Sequence, residues 1–154
     1  MRRRARTCAL QILYQLDLAR QLGPQGFNEP AVRASMARFW ASFEAVDGDD
    51  EQFAERLVLG IAQDLTRVDE ALGEVSQNWR VGRMDKVDRN ILRLAAYEMT
   101  ACPDIPRAVS INEAVELAKL FSSPESASFI NGVLDQMARN KLDPKERAPK
   151  AAGA

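Results

Sequence analysis

The chain has 154 residues, of which 46% are hydrophobic and 28% are charged, a composition typical of one soluble globular domain. Its 21 basic and 22 acidic residues give a net charge of -1, so any binding to nucleic acid must come from a local patch. The chain has no histidine, and we find no glycine-rich phosphate loop and no nucleophile elbow, so we expect no enzyme, no cofactor and no metal site.

The first predicted helix runs from about Arg4 to Leu22, and its start is strongly basic. The basic segment consists of Arg2, Arg3, Arg4 and Arg6, and no acidic residue occurs before Asp17. Arginine binds phosphate through two parallel hydrogen bonds and stacks on bases. The segment therefore predicts contact with a polyanion such as RNA, although on composition alone a basic chain end is more often simply solvated.

The same helix has two apolar faces. One stripe at helical spacing contains Ala5, Ala9, Ile12, Leu13, Leu16 and Ala19. A second row, formed by Leu10, Tyr14 and Leu18, lies roughly on the opposite side. We expect the stripe to face the core, and the row to meet the second helix, another copy of the chain or another protein. Gly23 and Pro24 are expected to end the helix.

The middle of the chain predicts further helices. One begins near Asn28 and carries Val32, Met36, Phe39, Trp40 and Phe43 on one face. After an acidic turn at residues 47–50, apolar residues at spacings of three and four extend over residues 53–79. This segment is either one long helix or two helices in line. Gly60 and Gly73 make a division possible, because glycine destabilises a helix.

The second half of the chain predicts three helices. Asp85 can cap the first of them. Ser110 and Glu113 form an S-x-x-E capping box that would open the second. Ser123, followed by proline, is the expected N-cap of the third. From Lys141 onwards apolar periodicity disappears, which is typical of a disordered tail.

These elements predict an all-α fold: one compact domain of about seven helices over residues 1–140 and a tail over residues 141–154. The two cysteines, Cys8 and Cys102, lie in apolar surroundings, and we expect buried free thiols in a reducing cytoplasm. No apolar run approaches the ~20 residues of a membrane helix. The basic start is not followed by an uninterrupted apolar segment, so we predict no signal peptide.

A second candidate site is the junction between the last two predicted helices. A helix that begins after Ser123 offers free N–H groups to an anion. The side chains that add charge, hydroxyls or a stacking surface are Lys119, Phe121, Ser122, Ser123, Ser126 and Phe129. They favour RNA binding, and the alternative is a capped helix start beside two core phenylalanines.

Several segments together resemble the NusB family of bacterial transcription antitermination factors. They are RRRAR at 2–6, ALQILY at 9–14, Phe53 with Leu57, Val58 and Gly60, Trp79, VDRNILR at 87–93, YE at 97–98, IP at 105–106, VSINEAVELAK at 109–119 and FINGVLD at 129–135. INEAVELAK and FINGVLD are the most specific of them. The resemblance covers about residues 2–138, while residues 24–50 match poorly.

The resemblance implies an all-α, non-catalytic protein that binds boxA-type RNA of ribosomal RNA leaders. It implies a protein partner, the small-subunit ribosomal protein NusE, and a complex with transcribing RNA polymerase. For the basic segment and the junction it favours RNA contact. For Tyr14 and Asp88, with the neighbouring Leu10 and Leu18, it implies contact with NusE. The alternative for Asp88 is an acid that complements the helix dipole.

Two other functions stay open from the sequence. The chain could be a homodimerising helical scaffold whose second apolar face pairs with itself. It could also be an accessory domain of an RNA methyltransferase that lacks the catalytic part. The charged residues of the most family-like helices, Arg93, Glu98, Glu113 and Glu116, are expected to form an internal ion-pair network rather than a metal or acid–base site. Trp40, Trp79 and Tyr97 are expected in the core.

Overall fold

The computed structural model describes residues 2–22, 27–42, 46–76 and 84–142. In these ranges the chain forms seven α-helices and no strand: α1 (Arg3–Leu18), α2 (Glu29–Ser42), α3 (Gly48–Gln63), α4 (Leu65–Val75), α5 (Lys86–Ala101), α6 (Arg107–Phe121) and α7 (Pro124–Met137). A π-helical turn, Ala138–Leu142, follows α7. The predicted all-α fold is confirmed. None of the described helices has the length and apolarity needed to cross a membrane.

Helix α1 supplies a large part of the core. Its predicted inner stripe is buried, with Ile12, Leu13 and Leu16 almost completely shielded from solvent. They pack against α3 and α5, and a fully buried side chain of this size contributes about 1.5–3 kcal/mol to stability. Helices α5, α6 and α7 pack on one another. Trp40 and Tyr97, as predicted, pack against the core, each partly buried.

Helix α1 ends four residues earlier than predicted. Arg20 adopts a left-handed backbone conformation with a φ of 59°. The N–H of Gln21 donates to the carbonyl of Leu16 at 2.8 Å, and the N–H of Arg20 donates to that of Asp17 at 3.1 Å. These two bonds form a Schellman motif, in which an arginine stands where glycine is usual. The predicted stop at Gly23 lies outside the described residues, as do Phe43, Trp79 and residues 143–154.

The segment predicted as one or two helices divides at Asp64, between α3 and α4. Neither Gly60 nor Gly73 lies at this break. Gly60 has a packing role instead, because a Cβ at this position would overlap the hydroxyl and the ring of Tyr97 on α5. Gly73 has nothing within 4 Å of the position that a Cβ would occupy.

Local capping signals identify most helix starts correctly. Asn28 Oδ1 accepts from the N–H of Ala31 at 3.1 Å, and Asp85 Oδ1 accepts from the N–H of Val87 at 2.7 Å. Ser123 Oγ accepts from the N–H of Ser126 at 3.0 Å. The caps at Asp85 and Ser123 are as predicted, and the second helix begins near Asn28 as predicted.

The predicted capping box at Ser110 is wrong. Helix α6 begins at Arg107, and Pro106 is its N-cap residue. Ser110 is therefore inside the helix, where it is buried and donates to Glu98 Oε1 at 2.8 Å. Glu113 points to α1 instead of back to the helix start.

A buried ion-pair cluster joins α1, α4 and α5. Asp17 accepts from Arg89, from Asn90 Nδ2 at 2.9 Å and from Arg93 Nη1 at 3.3 Å. Arg93 also donates two hydrogen bonds of 2.8 Å to Asp69 on α4. Burial alone would raise the pKa of Asp17, but the hydrogen bonds from Arg89 and Asn90 and the charge of Arg93 lower it on balance.

The two cysteines are free and buried, as the sequence predicts. Cys8 lies within α1, and Cys102 is the C-cap residue of α5. Burial raises the pKa of both thiols, so they stay protonated and unreactive at neutral pH.

Candidate nucleic-acid interface

The basic segment at the start of α1 is divided between the core and the surface. Arg6 is only 4% exposed, and its guanidinium donates two hydrogen bonds to Glu98 on α5, at 2.7 and 2.8 Å. The prediction that Arg6 is available to RNA is therefore corrected, because the guanidinium of Arg6 and the carboxylate of Glu98 are both buried in the fold. Breaking a buried pair of this kind leaves an uncompensated charge.

The buried pair between Arg6 and Glu98 has further partners. Glu98 also accepts from Ser110 Oγ, and Glu113 Oε1 lies 3.9 Å from Arg6 Nη1. The ring centroid of Phe53 lies 5.6 Å from Arg6 Cζ, within reach of a cation–π interaction. The predicted internal ion-pair network is confirmed for Glu98, Glu113 and, in the cluster around Asp17, Arg93. Glu116 instead pairs with Lys119 at 3.4 Å on the surface.

Arg2, Arg3 and Arg4 are exposed at the end of α1. Arg3 donates two hydrogen bonds of 3.0 Å to the carboxylate of Glu113, which lower the pKa of Glu113. Arg2 lies over the ring of Phe53, 4.3 Å from its centroid, and 3.9 Å from Asp104 Oδ2. The first turn of α1 contains no acidic residue and no side chain caps its N–H groups. The positive end of the helix dipole therefore adds to the arginine charges.

The junction between α6 and α7 lies at the far end of α6 from Arg3. Lys119 is exposed near the end of α6, and Phe121 is 41% exposed. Phe129 is partly buried one turn into α7. Ser123 Oγ caps α7, which begins with proline and carries Glu125 in its first turn. The junction thus brings together the ammonium group of Lys119, the exposed ring of Phe121 and the N-terminus of α7.

Asp88 links α5 to this junction. Its Oδ1 accepts from Ser122 Oγ and its Oδ2 from Ser126 Oγ, both at 2.8 Å. We call Asp88, Ser122 and Ser126 the clasp. Each serine has one hydroxyl proton and donates it to Asp88, so neither can donate to a phosphate while the clasp is closed. The expectation that these hydroxyls hold an anion is corrected accordingly.

The second row of α1 does not form one surface. Leu10 is only 3% exposed and belongs to the core, whereas Tyr14 is 37% and Leu18 60% exposed. The prediction that Leu10 lies off the core is wrong, because side chains of neighbouring elements pack over it. Leu10 and Tyr14 line a groove of about 480 Å³ together with Phe39 of α2, Val87 of α5 and Phe121.

The exposed cations do not form an uninterrupted basic patch. Arg3 pairs with Glu113 and Lys119 pairs with Glu116, so two carboxylates of α6 lie between the start of α1 and the junction. An RNA strand that contacts both ends must displace these glutamates or pass beside them.

Sequence reasoning missed the clasp and the partner of Arg6. The serines at positions 122 and 126 are four residues apart in the sequence, and Asp88 occupies the first turn of α5. These spacings are visible in the sequence, but the packing of α5 against α6 and α7 is not. Helical spacing also aligns Arg6 with Ala9 and Leu13 of the buried stripe, which could have indicated that Arg6 faces inwards.

Comparison with known proteins gives matches along almost the whole chain. The model of the NusB family matches residues 3–139. The transcription antitermination protein NusB of Anaeromyxobacter dehalogenans is 48% identical over 146 residues, which are 95% of either chain. The solved structure of T. maritima NusB has a TM-score of 0.79 at 32% identity and covers 97% of both chains. A structure of the antitermination factors NusB and NusE in complex with dsRNA has a TM-score of 0.74 at 23% identity. It covers 90% of this chain and 98% of that one, a likeness of fold.

Proposed function

The chain belongs to the NusB family, and from this membership we propose that it is an RNA-binding transcription antitermination factor. It binds boxA-type RNA of ribosomal RNA leaders together with the ribosomal protein NusE, in a complex with transcribing RNA polymerase. The observation that carries the proposal is the 48% identity, over 95% of the chain, to a transcription antitermination protein. Because antitermination acts on a transcript during its synthesis, the protein works in the bacterial cytoplasm.

The start of α1 supplies the phosphate contacts in this proposal. Arg2, Arg3 and Arg4 are exposed, and the uncapped helix end adds a positive dipole. RNA phosphate competes with Glu113 for Arg3, because both ligands bind the same edge of the guanidinium. Arg6 takes no part, since it stabilises the fold beneath this surface.

The junction between α6 and α7 supplies the base contacts. Phe121 is exposed, and Phe129 lies at the edge of a hollow of about 290 Å³. Unstacked bases of single-stranded RNA stack on such rings. Lys119 adds a positive charge, and the hydroxyl proton of Ser123 stays available because its oxygen accepts the capping bond.

The groove beside Tyr14 is the proposed contact for NusE. Tyr14 and Leu18 are exposed on α1, and Leu10 forms part of the groove wall. A related NusB has been solved with NusE and dsRNA, which supports a protein partner and an RNA for this fold. Asp88 follows Val87, which lines the same groove. We propose that the carboxylate of Asp88 contacts a basic side chain of NusE.

The proposal is tested by a gel shift with boxA-type RNA over a range of salt concentrations, with and without NusE. We expect NusE to tighten RNA binding. The double variant Arg3→Ala/Arg4→Ala should weaken it and reduce the salt slope by ~0.7 for each lost phosphate contact. The control, Arg33→Ala/Arg67→Ala, removes the same charge from exposed positions of α2 and α4. Unchanged binding of the Arg3/Arg4 variant at low and moderate salt would remove this surface from the RNA site. A dimeric chain that binds no boxA RNA would favour the scaffold.

A further inference from the structure

We propose that Asp88 is a positioning residue for RNA binding. Through Ser122 and Ser126 it holds the junction of α6 and α7, and with it Phe121 and Phe129, in the orientation that receives RNA bases. This inference rests on the proposed function. It differs from a direct contact of Asp88 with a partner, because the carboxylate acts through the two serines.

The clasp connects three helix ends with one carboxylate. Asp88 belongs to the first turn of α5, Ser122 is the C-cap residue of α6, and Ser126 lies in the first turn of α7. Each carboxylate oxygen accepts one serine proton at 2.8 Å. Hydrogen bonds to an ionised acceptor are stronger than those between neutral groups. The start of α5 is itself fixed, because Asp85 accepts from the N–H groups of Val87 and Asp88.

Both aromatic residues of the junction are close to the clasp along the chain. Phe121 immediately precedes Ser122. Phe129 follows Ser126 by three residues on the same face of α7. A rotation of the α6–α7 turn about its own axis would therefore move both rings, and the two serine bonds oppose that rotation.

The clasp also adjoins two concave surfaces. Val87 and Phe121 line the groove beside Tyr14, and each is followed in the sequence by a clasp residue, Asp88 or Ser122. The hollow is lined by Met84, Asp85, Asp88, Glu125, Ser126 and Phe129. Two clasp residues, Asp88 and Ser126, are thus part of the hollow's lining, so loss of the clasp should change the shape of the hollow in which Phe129 meets a base.

Charge favours a positioning role over a phosphate contact. The hollow is lined by three carboxylates, those of Asp85, Asp88 and Glu125. Their negative charge repels the negative charge of a phosphate. The serine protons that could have attracted phosphate are donated to Asp88. Removing the clasp should therefore weaken RNA binding without removing a phosphate contact, and the salt dependence should keep its slope.

The test is a mutant cycle measured by the affinity for boxA-type RNA at several salt concentrations, in the absence of NusE, so that the proposed contact of Asp88 with NusE does not contribute. Its variants are Ser122→Ala/Ser126→Ala, Asp88→Ala and the combination of all three. Each of the first two should weaken binding about three- to tenfold, the range expected for one or two lost hydrogen bonds. The triple variant should bind about as well as the weaker of the two, because all three remove the same clasp. Ser128→Ala, an exposed serine of α7 outside the clasp, is the matched control and should bind as the parent does.

Circular dichroism and the melting temperature establish that each variant is folded. If the double serine variant does not fold, the single variants Ser122→Ala and Ser126→Ala replace it. Each single variant keeps one of the two bonds to Asp88, and its affinity for RNA is compared with that of Asp88→Asn. Unchanged affinity of the serine variants, fully additive losses in the cycle, or a reduced salt slope would each overturn the positioning role. Failure of the parent chain to bind boxA-type RNA, with or without NusE, would instead overturn the proposed function.

Discussion

Arg3 and Arg6 carry the same guanidinium group three residues apart on α1, but they serve different ends. Arg3 is exposed and holds Glu113 at the surface, while Arg6 is buried and holds Glu98. The difference arises from the helical period, which turns Arg6 towards α5. In the pair of Arg3 with Glu113, solvent screens the charges on the exposed arginine side, so the contact is worth less than a fully buried one. In the buried pair, each charge depends on the other.

At this scale we predict that Arg6→Met destabilises the domain by about 3–5 kcal/mol, because Glu98 is left buried without its partner. The double variant Arg6→Met/Glu98→Met should recover most of the loss. Urea unfolding measures both. The control Arg33→Met removes an exposed pair with Glu29 and should cost no more than about 0.5 kcal/mol. A similarly small cost for Arg6→Met would mean that the buried pair contributes little.

At the scale of the element, the sequence predicts what depends on nearby residues. The caps Asp85 and Ser123 and the helix start near Asn28 are correctly predicted because each of these side chains bonds an N–H within three residues. The capping box fails because distant partners intervene: Ser110 bonds Glu98, and Glu113 bonds Arg3. The same reason limits prediction of the candidate site. The exposure of residues 2–4 can be predicted because they lie at the start of the first helix. The burial of Arg6 and the closure of the clasp cannot, because they depend on how α5 packs against α1, α6 and α7.

Gly60 gives a prediction about the packing of α3 against α5. Alanine normally favours a helix over glycine, but a methyl group at position 60 would overlap the Tyr97 ring. We expect Gly60→Ala to lower the free energy of unfolding by about 1–3 kcal/mol. Gly73→Ala, in α4 with open space around it, should raise that free energy by about 0.4–1 kcal/mol. Thermal unfolding of the two variants would contradict this view if both changed in the same direction.

At the scale of the whole molecule, ion pairs tie distant parts of the chain together. The Asp17 cluster joins α1, α4 and α5, and Glu113 joins α6 to the start of α1. In sequence these residues are far apart, so their pairing follows from the fold and not from any local pattern. Their carboxylates carry the negative charge that pairs with the arginines only when they are ionised, which makes the stability of the domain depend on pH.

We predict that the domain loses stability as the pH falls below about 4. The pKa of Asp17 and that of Glu113 are lower in the folded chain than in the unfolded one, where they are about 3.9 and 4.3. Their contribution is therefore complete above those values and is lost as the pH falls through the lower folded values. Urea unfolding from pH 7 to about pH 3 should show this decrease, and Asp17→Asn should make it shallower. An acid profile that is identical in Asp17→Asn would contradict the assignment to this cluster.

The burial of Cys8 and Cys102 has a consequence for how the molecule can be observed. Both thiols are enclosed, one in α1 and one at the end of α5, and burial keeps them protonated. A thiol reagent in the surrounding solution can react with them only while the helices around them are apart. Each modified cysteine therefore records one opening of the core. The rate of thiol modification at Cys8 and Cys102 therefore measures local opening of the core without an engineered label.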